Sequence, residues 1–178
     1  MALCLLGCAS SRPVATDLKD HAVNPFADKS ATAFVLVFIS NDCPIGNRYA
    51  PEINRLYARF KGQRVAFWLV HPDPAETCED IRNHARQYQL TVPELRDPHH
   101  ELVKFAKVDV VPSAAVFLTD GRLVYHGRID DRVVALGKER PEAMHHDLAD
   151  VLEAVVNRQA VSVATSTAIG CYIPQAQR

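Results

Sequence analysis

The sequence contains no Cys-x-x-Cys pair, although it has five cysteines. This absence and the odd number argue against a zinc knuckle and against a small domain held together by disulfides. An excess of one charge sign is also missing, because 20 Lys and Arg residues accompany 21 Asp and Glu residues. There is no global basic field to attract nucleic acid, so we expect no nucleic-acid partner. No stretch is long and apolar enough to span a bilayer, and no internal repeat is present.

The sequence has enough hydrophobic residues to form the core of one ordinary domain, since they make up 48% of its 178 residues. Two continuous apolar runs are typical of strands buried on both faces, and a helical pattern connects them, which predicts a parallel βαβ unit. A later pair of runs around a Thr-Asp-Gly-Arg turn predicts an antiparallel hairpin. The predicted fold is therefore α/β, with a mixed central sheet and helices on both faces. The predicted strands cover 33–39, 65–70, 111–118 and 123–127, and the predicted helices cover 44–60, 74–88, 99–106 and 141–156.

The two ends of the chain differ from this middle part. Residues 1–8 are apolar and end in Leu-Leu-Gly-Cys, which resembles a truncated signal segment with a bacterial lipoprotein cleavage box. In that case Cys8 carries the lipid, which is the only membrane contact, and the domain lies on the periplasmic side of the cell envelope. The alternative is a fortuitous apolar start, because the run is short and no Lys or Arg precedes it. Residues 9–29 are expected to form a tether with room for a short hairpin, 30–158 the domain, and 159–178 a polar tail.

Cys43 stands at a predicted strand-to-helix junction. It follows the turn and cap formers Ser40-Asn41-Asp42 and precedes Pro44, a residue suited to a first helical turn. The positive end of the helix dipole and the unpaired N–H groups there favour thiolate over thiol. Cys43 is thus the candidate nucleophile, with an inert buried cysteine as the alternative.

Three segments, 38–52, 125–132 and Gly170-Cys171, resemble bacterial redoxin-domain proteins of the alkyl hydroperoxide reductase and thiol-specific antioxidant branch. The similarity covers about residues 30 to 173 and implies a thioredoxin-like fold. It also implies that Cys43 is the active cysteine and that Val111-Pro112 carries a cis-proline loop lying against it. Pro112 would then shape the substrate groove.

The chain departs from two better-known patterns. Gly46 occupies the position of the second cysteine of thioredoxins, so disulfide exchange within the motif is impossible. Ser40 stands where peroxiredoxins have Thr, and Leu36 stands where they have Pro. We expect Ser40 and the helix N-terminus to stabilise the thiolate. The arginine of such sites would have to be Arg128 or Arg132, unless both form only surface salt bridges.

Cys171 is the candidate resolving thiol because the tail is long enough to fold back over the cleft. Its attack on oxidised Cys43 would close a Cys43–Cys171 disulfide, and the alternative is a free or intermolecular thiol. Cys78 lies among carboxylates and is expected to be incidental. The predicted function is a thiol oxidoreductase without metal or cofactor. It would act on a protein or small-molecule thiol, disulfide or peroxide, with an upstream reductant.

Two rival functions remain open, a copper or thiol-ligand carrier and a redox-inert interaction module. The histidines raise the first, because copper chaperones of cytochrome oxidase assembly share the thioredoxin fold and use Cys-x-x-x-Cys-Pro with a distant His. Here Ile39 replaces the first of those cysteines, so the motif offers one thiolate where Cu(I) usually takes two. The candidate histidines are His71, His126 and the pairs His99-His100 and His145-His146, and we expect the two pairs to be solvated helix residues.

Overall fold

The computed structural model describes residues 12–176, which form eleven strands and five helices. The strands are β1 (Ala15–Asp17), β2 (Ala22–Val23), β3 (Ala33–Phe38), β4 (Val65–His71), β5 (Glu94–Arg96), β6 (Val110–Val111), β7 (Ser113–Leu118), β8 (Leu123–Gly127), β9 (Val133–Ala135), β10 (Lys138–Glu139) and β11 (Cys171–Tyr172). The helices are α1 (Pro44–Arg48), α2 (Ala50–Phe60), α3 (Cys78–Tyr88), α4 (Glu101–Ala106) and α5 (Asp147–Val156).

Seven strands make one mixed sheet in the order β2-β1-β5-β4-β3-β7-β8. β3 runs parallel to β4 and antiparallel to β7, and all six of its residues are buried. The predicted α/β class with a mixed central sheet is confirmed. Phe38, the last residue of β3, pairs with Ser113, the first residue of β7. This register brings the segment leading to Cys43 beside the segment that ends at Pro112.

The N-terminal part of the described chain, expected to be a tether with room for a short hairpin, is built into the sheet. β1 pairs with β2 and also with β5, which adds a hairpin to the edge of the sheet. Phe26 is only 4% exposed, and its ring contacts Phe34 and Phe117 at centroid distances of 5.4 and 5.2 Å. Strands of two or three residues are too short to show an alternation of apolar and polar residues. Because the segment is also mostly polar, the sequence did not indicate that it contributes to the core.

Helix boundaries also differ from the predicted ones. Pro51 lacks an N–H and divides the predicted helix 44–60 into α1 and α2. α3 begins at Cys78 because Thr77 and Asp80 form a reciprocal capping box. α5 begins at Asp147, since β9 and β10 form a hairpin ahead of it.

The expected lipid attachment at Cys8 lies outside the described residues. Within residues 12–176, no helix is long and apolar enough to cross a membrane.

Candidate active site around Cys43

Cys43 lies between the end of β3 and the start of α1, and it is 1% exposed. Its thiol donates a hydrogen bond to the Val111 carbonyl oxygen at 3.3 Å. The peptide bond between Val111 and Pro112 is cis. Cys43 and the proline loop, which are 68 residues apart in sequence, are thus brought into contact as the family resemblance implied.

Cys171 lies beside the same proline loop, because its strand pairs with the strand that leads into the loop. β11 pairs antiparallel with β6, with Cys171 opposite Val111 and Tyr172 opposite Val110. Cys43 and Cys171 are both free thiols. Burial, together with the hydrogen bond and charge interaction with Cys43, raises the pKa of Cys171 to about 12. In this state Cys171 therefore holds its proton at neutral pH and lies within hydrogen-bond reach of Cys43.

Gly170 allows the tail to come this close. A Cβ atom at position 170 would overlap the Val111 carbonyl oxygen, and it would lie 2.6 Å from the Val111 carbonyl carbon and 3.1 Å from the Pro112 nitrogen. Real Cβ atoms essentially never approach backbone atoms below 3.0 Å. Any side chain here would push the tail away from the proline loop.

Ser40 does not have the expected role. Its hydroxyl donates to Glu76 Oε1 at 2.8 Å, and the Asn41 N–H donates to the same oxygen at 2.6 Å. A hydroxyl has one hydrogen to donate, so the Ser40 O–H is not directed at the Cys43 sulfur. Ser40 instead anchors the turn that precedes Cys43.

The acceptor Glu76 belongs to a buried charged cluster that sequence reasoning missed. The His71 side chain is 0% exposed, with its Nδ1 atom 2.9 Å from Glu76 Oε2 and its Nε2 atom 3.4 Å from Glu94 Oε1. Burial opposes the charged imidazole, but the two carboxylates outweigh burial and the pKa of His71 is raised. Burial likewise opposes ionisation of Glu76, yet the His71 contact and the bonds from the turn lower the pKa of that carboxyl.

The expectation that the histidine pairs are solvated was wrong for one position. Of the two pairs expected to be solvated, His100 is only 8% exposed. Two further histidines, His71 on β4 and His84 on α3, are also buried. The only sequence signal was that His71 directly continues the apolar run Val65–Val70. Across the described part of the chain, no group of three His, Cys, Asp or Glu residues is arranged to hold a metal ion.

A model of the AhpC/TSA family matches residues 14–126, which is more than half of the chain. The chain belongs to the AhpC/TSA family. The part of this AhpC/TSA protein that matches includes Cys43 and Pro112, whereas Gly170 and Cys171 lie beyond it. None of the curated proteins matches the chain.

Solved structures show that this AhpC/TSA protein has a thioredoxin-like fold. A hypothetical protein from Sinorhizobium meliloti 1021 is 25% identical, with a TM-score of 0.78 over 92% of this chain and 90% of that one. An uncharacterized conserved protein from Geobacillus kaustophilus is 22% identical, with a TM-score of 0.78 over 95% and 92% of the two chains. A secreted disulfide oxidoreductase from Mycobacterium tuberculosis is 18% identical, with a TM-score of 0.56 over 83% and 96%.

The Arg128 side chain is held by the start of α5 in this AhpC/TSA protein. Its guanidinium pairs with the Asp147 carboxylate, with Nε to Oδ2 at 2.9 Å, and so joins the segment after β8 to the start of α5. Arg132, the other candidate, stacks over the Tyr49 ring at 4.6 Å from the ring centroid. Of the two arginines, Arg132 is the one that packs against the segment following Cys43.

Proposed function

We propose that this protein is a thiol-based oxidoreductase in which Cys43 is the nucleophile and Cys171 is the resolving thiol. The observation that carries the proposal is the pairing of β11 with β6. This pairing holds Cys171 opposite Val111, whose carbonyl oxygen also accepts the hydrogen bond from Cys43. Two thiols held against one carbonyl group can be joined by a disulfide.

Two reactions lead to that disulfide. With a hydroperoxide, the Cys43 thiolate attacks the O–O bond, releases an alcohol or water and becomes a sulfenic acid; Cys171 then attacks its sulfur and water leaves. With a partner disulfide, the Cys43 thiolate releases one partner thiolate and forms a mixed disulfide, which Cys171 resolves by releasing the other. In both cases an external dithiol reduces the Cys43–Cys171 bond and is itself oxidised.

The protonation of Cys171 supports this order of events. Burial is the largest cause of the rise in its pKa, and the neighbouring Cys43 adds to it. Oxidation of Cys43 removes the thiol that contributes to this rise. We expect this contribution to disappear once Cys43 has reacted, so that Cys171 loses its proton more readily at that stage.

The test is to map disulfides by mass spectrometry after one equivalent of hydrogen peroxide or oxidised glutathione. Wild-type protein and Cys78→Ser should form the Cys43–Cys171 bond. Cys171→Ser should stop at a Cys43 sulfenic acid or mixed disulfide, and Cys43→Ser should not react. Absence of the bond in the wild type would contradict the proposal and favour the two rival functions, a copper or thiol-ligand carrier and a redox-inert interaction module. A copper carrier would in addition take up Cu(I) stoichiometrically, and Cys43→Ser would abolish that uptake.

We also propose that Cys8 carries a lipid that holds the domain at the periplasmic side of the cell envelope. The support is the Leu5-Leu6-Gly7-Cys8 box alone. Incorporation of a labelled fatty acid during expression, lost in Cys8→Ser, is the expected result. Equal labelling of both proteins, or of neither, would contradict it.

A further inference from the structure

The C-terminal segment 164–173, called the strap below, is fixed along the edge of the domain by backbone hydrogen bonds. The His126 N–H donates to the Ala164 carbonyl at 3.1 Å, and the Ser166 N–H donates to the His126 carbonyl at 3.3 Å. Farther along, the Ile173 N–H donates to the Asp109 carbonyl at 3.1 Å. Side chains of Ile169, Cys171 and Ile173 pack on the hydrophobic core between and beyond these points.

Two glycines let the strap lie flat against the domain. Gly127 has φ +151°, and a Cβ there would overlap the backbone and side chain of Ser166. A Cβ at Gly170 would likewise overlap the Val111 carbonyl group. The strap is therefore fitted at two separate places, one on β8 and one on β6.

The strap restricts access to Cys43. It occupies the edge of β6 next to the nucleophile, and Cys43 is 1% exposed with the strap in place. A hydroperoxide has only a few atoms and needs little space to reach the sulfur. A protein disulfide brings two backbone segments with it, so the pairing of β11 with β6 must first break.

We propose that the strap is a specificity-determining element that admits small oxidants to Cys43 and excludes protein disulfides. Gly170 is the residue on which this selection depends, because only glycine permits the contact with Val111. This inference rests on the proposed function, and within it selects the hydroperoxide reaction over exchange with a folded protein.

The test compares a small and a bulky reagent on the full chain. The protein is alkylated with iodoacetamide or with a maleimide attached to polyethylene glycol. Peptide mass spectrometry gives the rate of alkylation of each cysteine. Cys78, half-buried on α3, is the reference within the same molecule. In the wild type, Cys43 should react with the bulky reagent far more slowly, relative to iodoacetamide, than Cys78 does.

Gly170→Ala should raise the rate of the bulky reagent at Cys43 by about tenfold or more while changing the iodoacetamide rate less. The matched control is Gly62→Ala, because position 62 has no atom within 4 Å of an added Cβ and no positive φ. Equal bulky-to-small ratios at Cys43 and Cys78 in the wild type would overturn the proposal even if the variant failed to fold.

A second measurement separates this proposal from the proposed function. Oxidation of Cys43 is compared between hydrogen peroxide and insulin, a protein with accessible disulfides. Fast oxidation of Cys43 by peroxide and slow oxidation of Cys43 by insulin, with the insulin reaction faster in Gly170→Ala, is the expected result. Equally fast reaction with both would overturn the size selection and leave the redox function standing, whereas no bond with either would overturn the redox function.

Discussion

Gly170 lies against the Val111 carbonyl group so closely that no side chain fits between them. That same carbonyl oxygen accepts the hydrogen bond from the Cys43 thiol. One backbone group thus contacts both the nucleophile and the tail that carries Cys171. The close approach of the two thiols depends on a residue that has no side chain.

We expect Gly170→Ala to slow closure of the Cys43–Cys171 bond by about tenfold or more, because undocking the tail lowers the effective concentration of the second thiol. Quenched-flow oxidation with peroxide, followed by mass spectrometry, measures the rate. Initial oxidation of Cys43 should not slow. A variant that closes the bond as fast as the Gly62→Ala control would show that the tail docks without the Gly170 contact.

Gly46→Cys should create a second partner for the nucleophile. A Cβ at position 46 lies 3.6 Å from Cys43 Cβ and 3.9 Å from Cys43 Sγ. Disulfides need Cβ atoms about 3.5 to 4.5 Å apart, so the site accepts the bond without backbone movement. In a Cys171→Ser background, oxidation should join Cys43 to the introduced thiol. Recovery of only intermolecular disulfides would contradict this expectation.

The parts of the site that were predictable from sequence are those encoded in local patterns. The apolar run into β3, the turn formers after it and Pro44 placed Cys43 at a strand-to-helix junction, as the structure has it. The contact with the Val111-Pro112 loop came from the family resemblance, since no local pattern joins positions 68 residues apart.

The parts that were not predictable depend on partners chosen in three dimensions. Ser40 was expected to stabilise the thiolate, but its hydroxyl donates its hydrogen bond to Glu76, which lies 36 residues away in sequence. Arg128 was expected near Cys43, but α5 begins with Asp147, which pairs with it. A side chain's type limits which bonds it can make, and the tertiary packing decides which one forms.

Glu76→Ala should destabilise the domain by about 3 to 5 kcal/mol, because it leaves a buried imidazolium with one carboxylate and removes the acceptor for the Ser40 and Asn41 donors. Glu76→Gln should lose less, since an amide oxygen can still accept both bonds from the turn. Urea unfolding of the three proteins measures the difference. Equal losses in Ala and Gln would show that the charge, and not the hydrogen bonding of the turn, provides the stability.

The free energy that separates wild type from Glu76→Gln should itself depend on pH. Glu76 has a native pKa below its ordinary 4.5, so its contribution is present above that value and lost as the pH falls through the native pKa. His71 has a native pKa above its ordinary 6.5, so its contribution is complete below that value and lost as the pH rises through the native pKa. The difference should therefore be largest between pH 4.5 and 6.5. Urea unfolding of both proteins at a series of pH values measures it. Comparing Glu76→Gln with the wild type cancels the contribution of Asp97, whose pKa burial raises to about 6. A difference that stays constant across the range would mean that His71 and Glu76 do not form a charged pair.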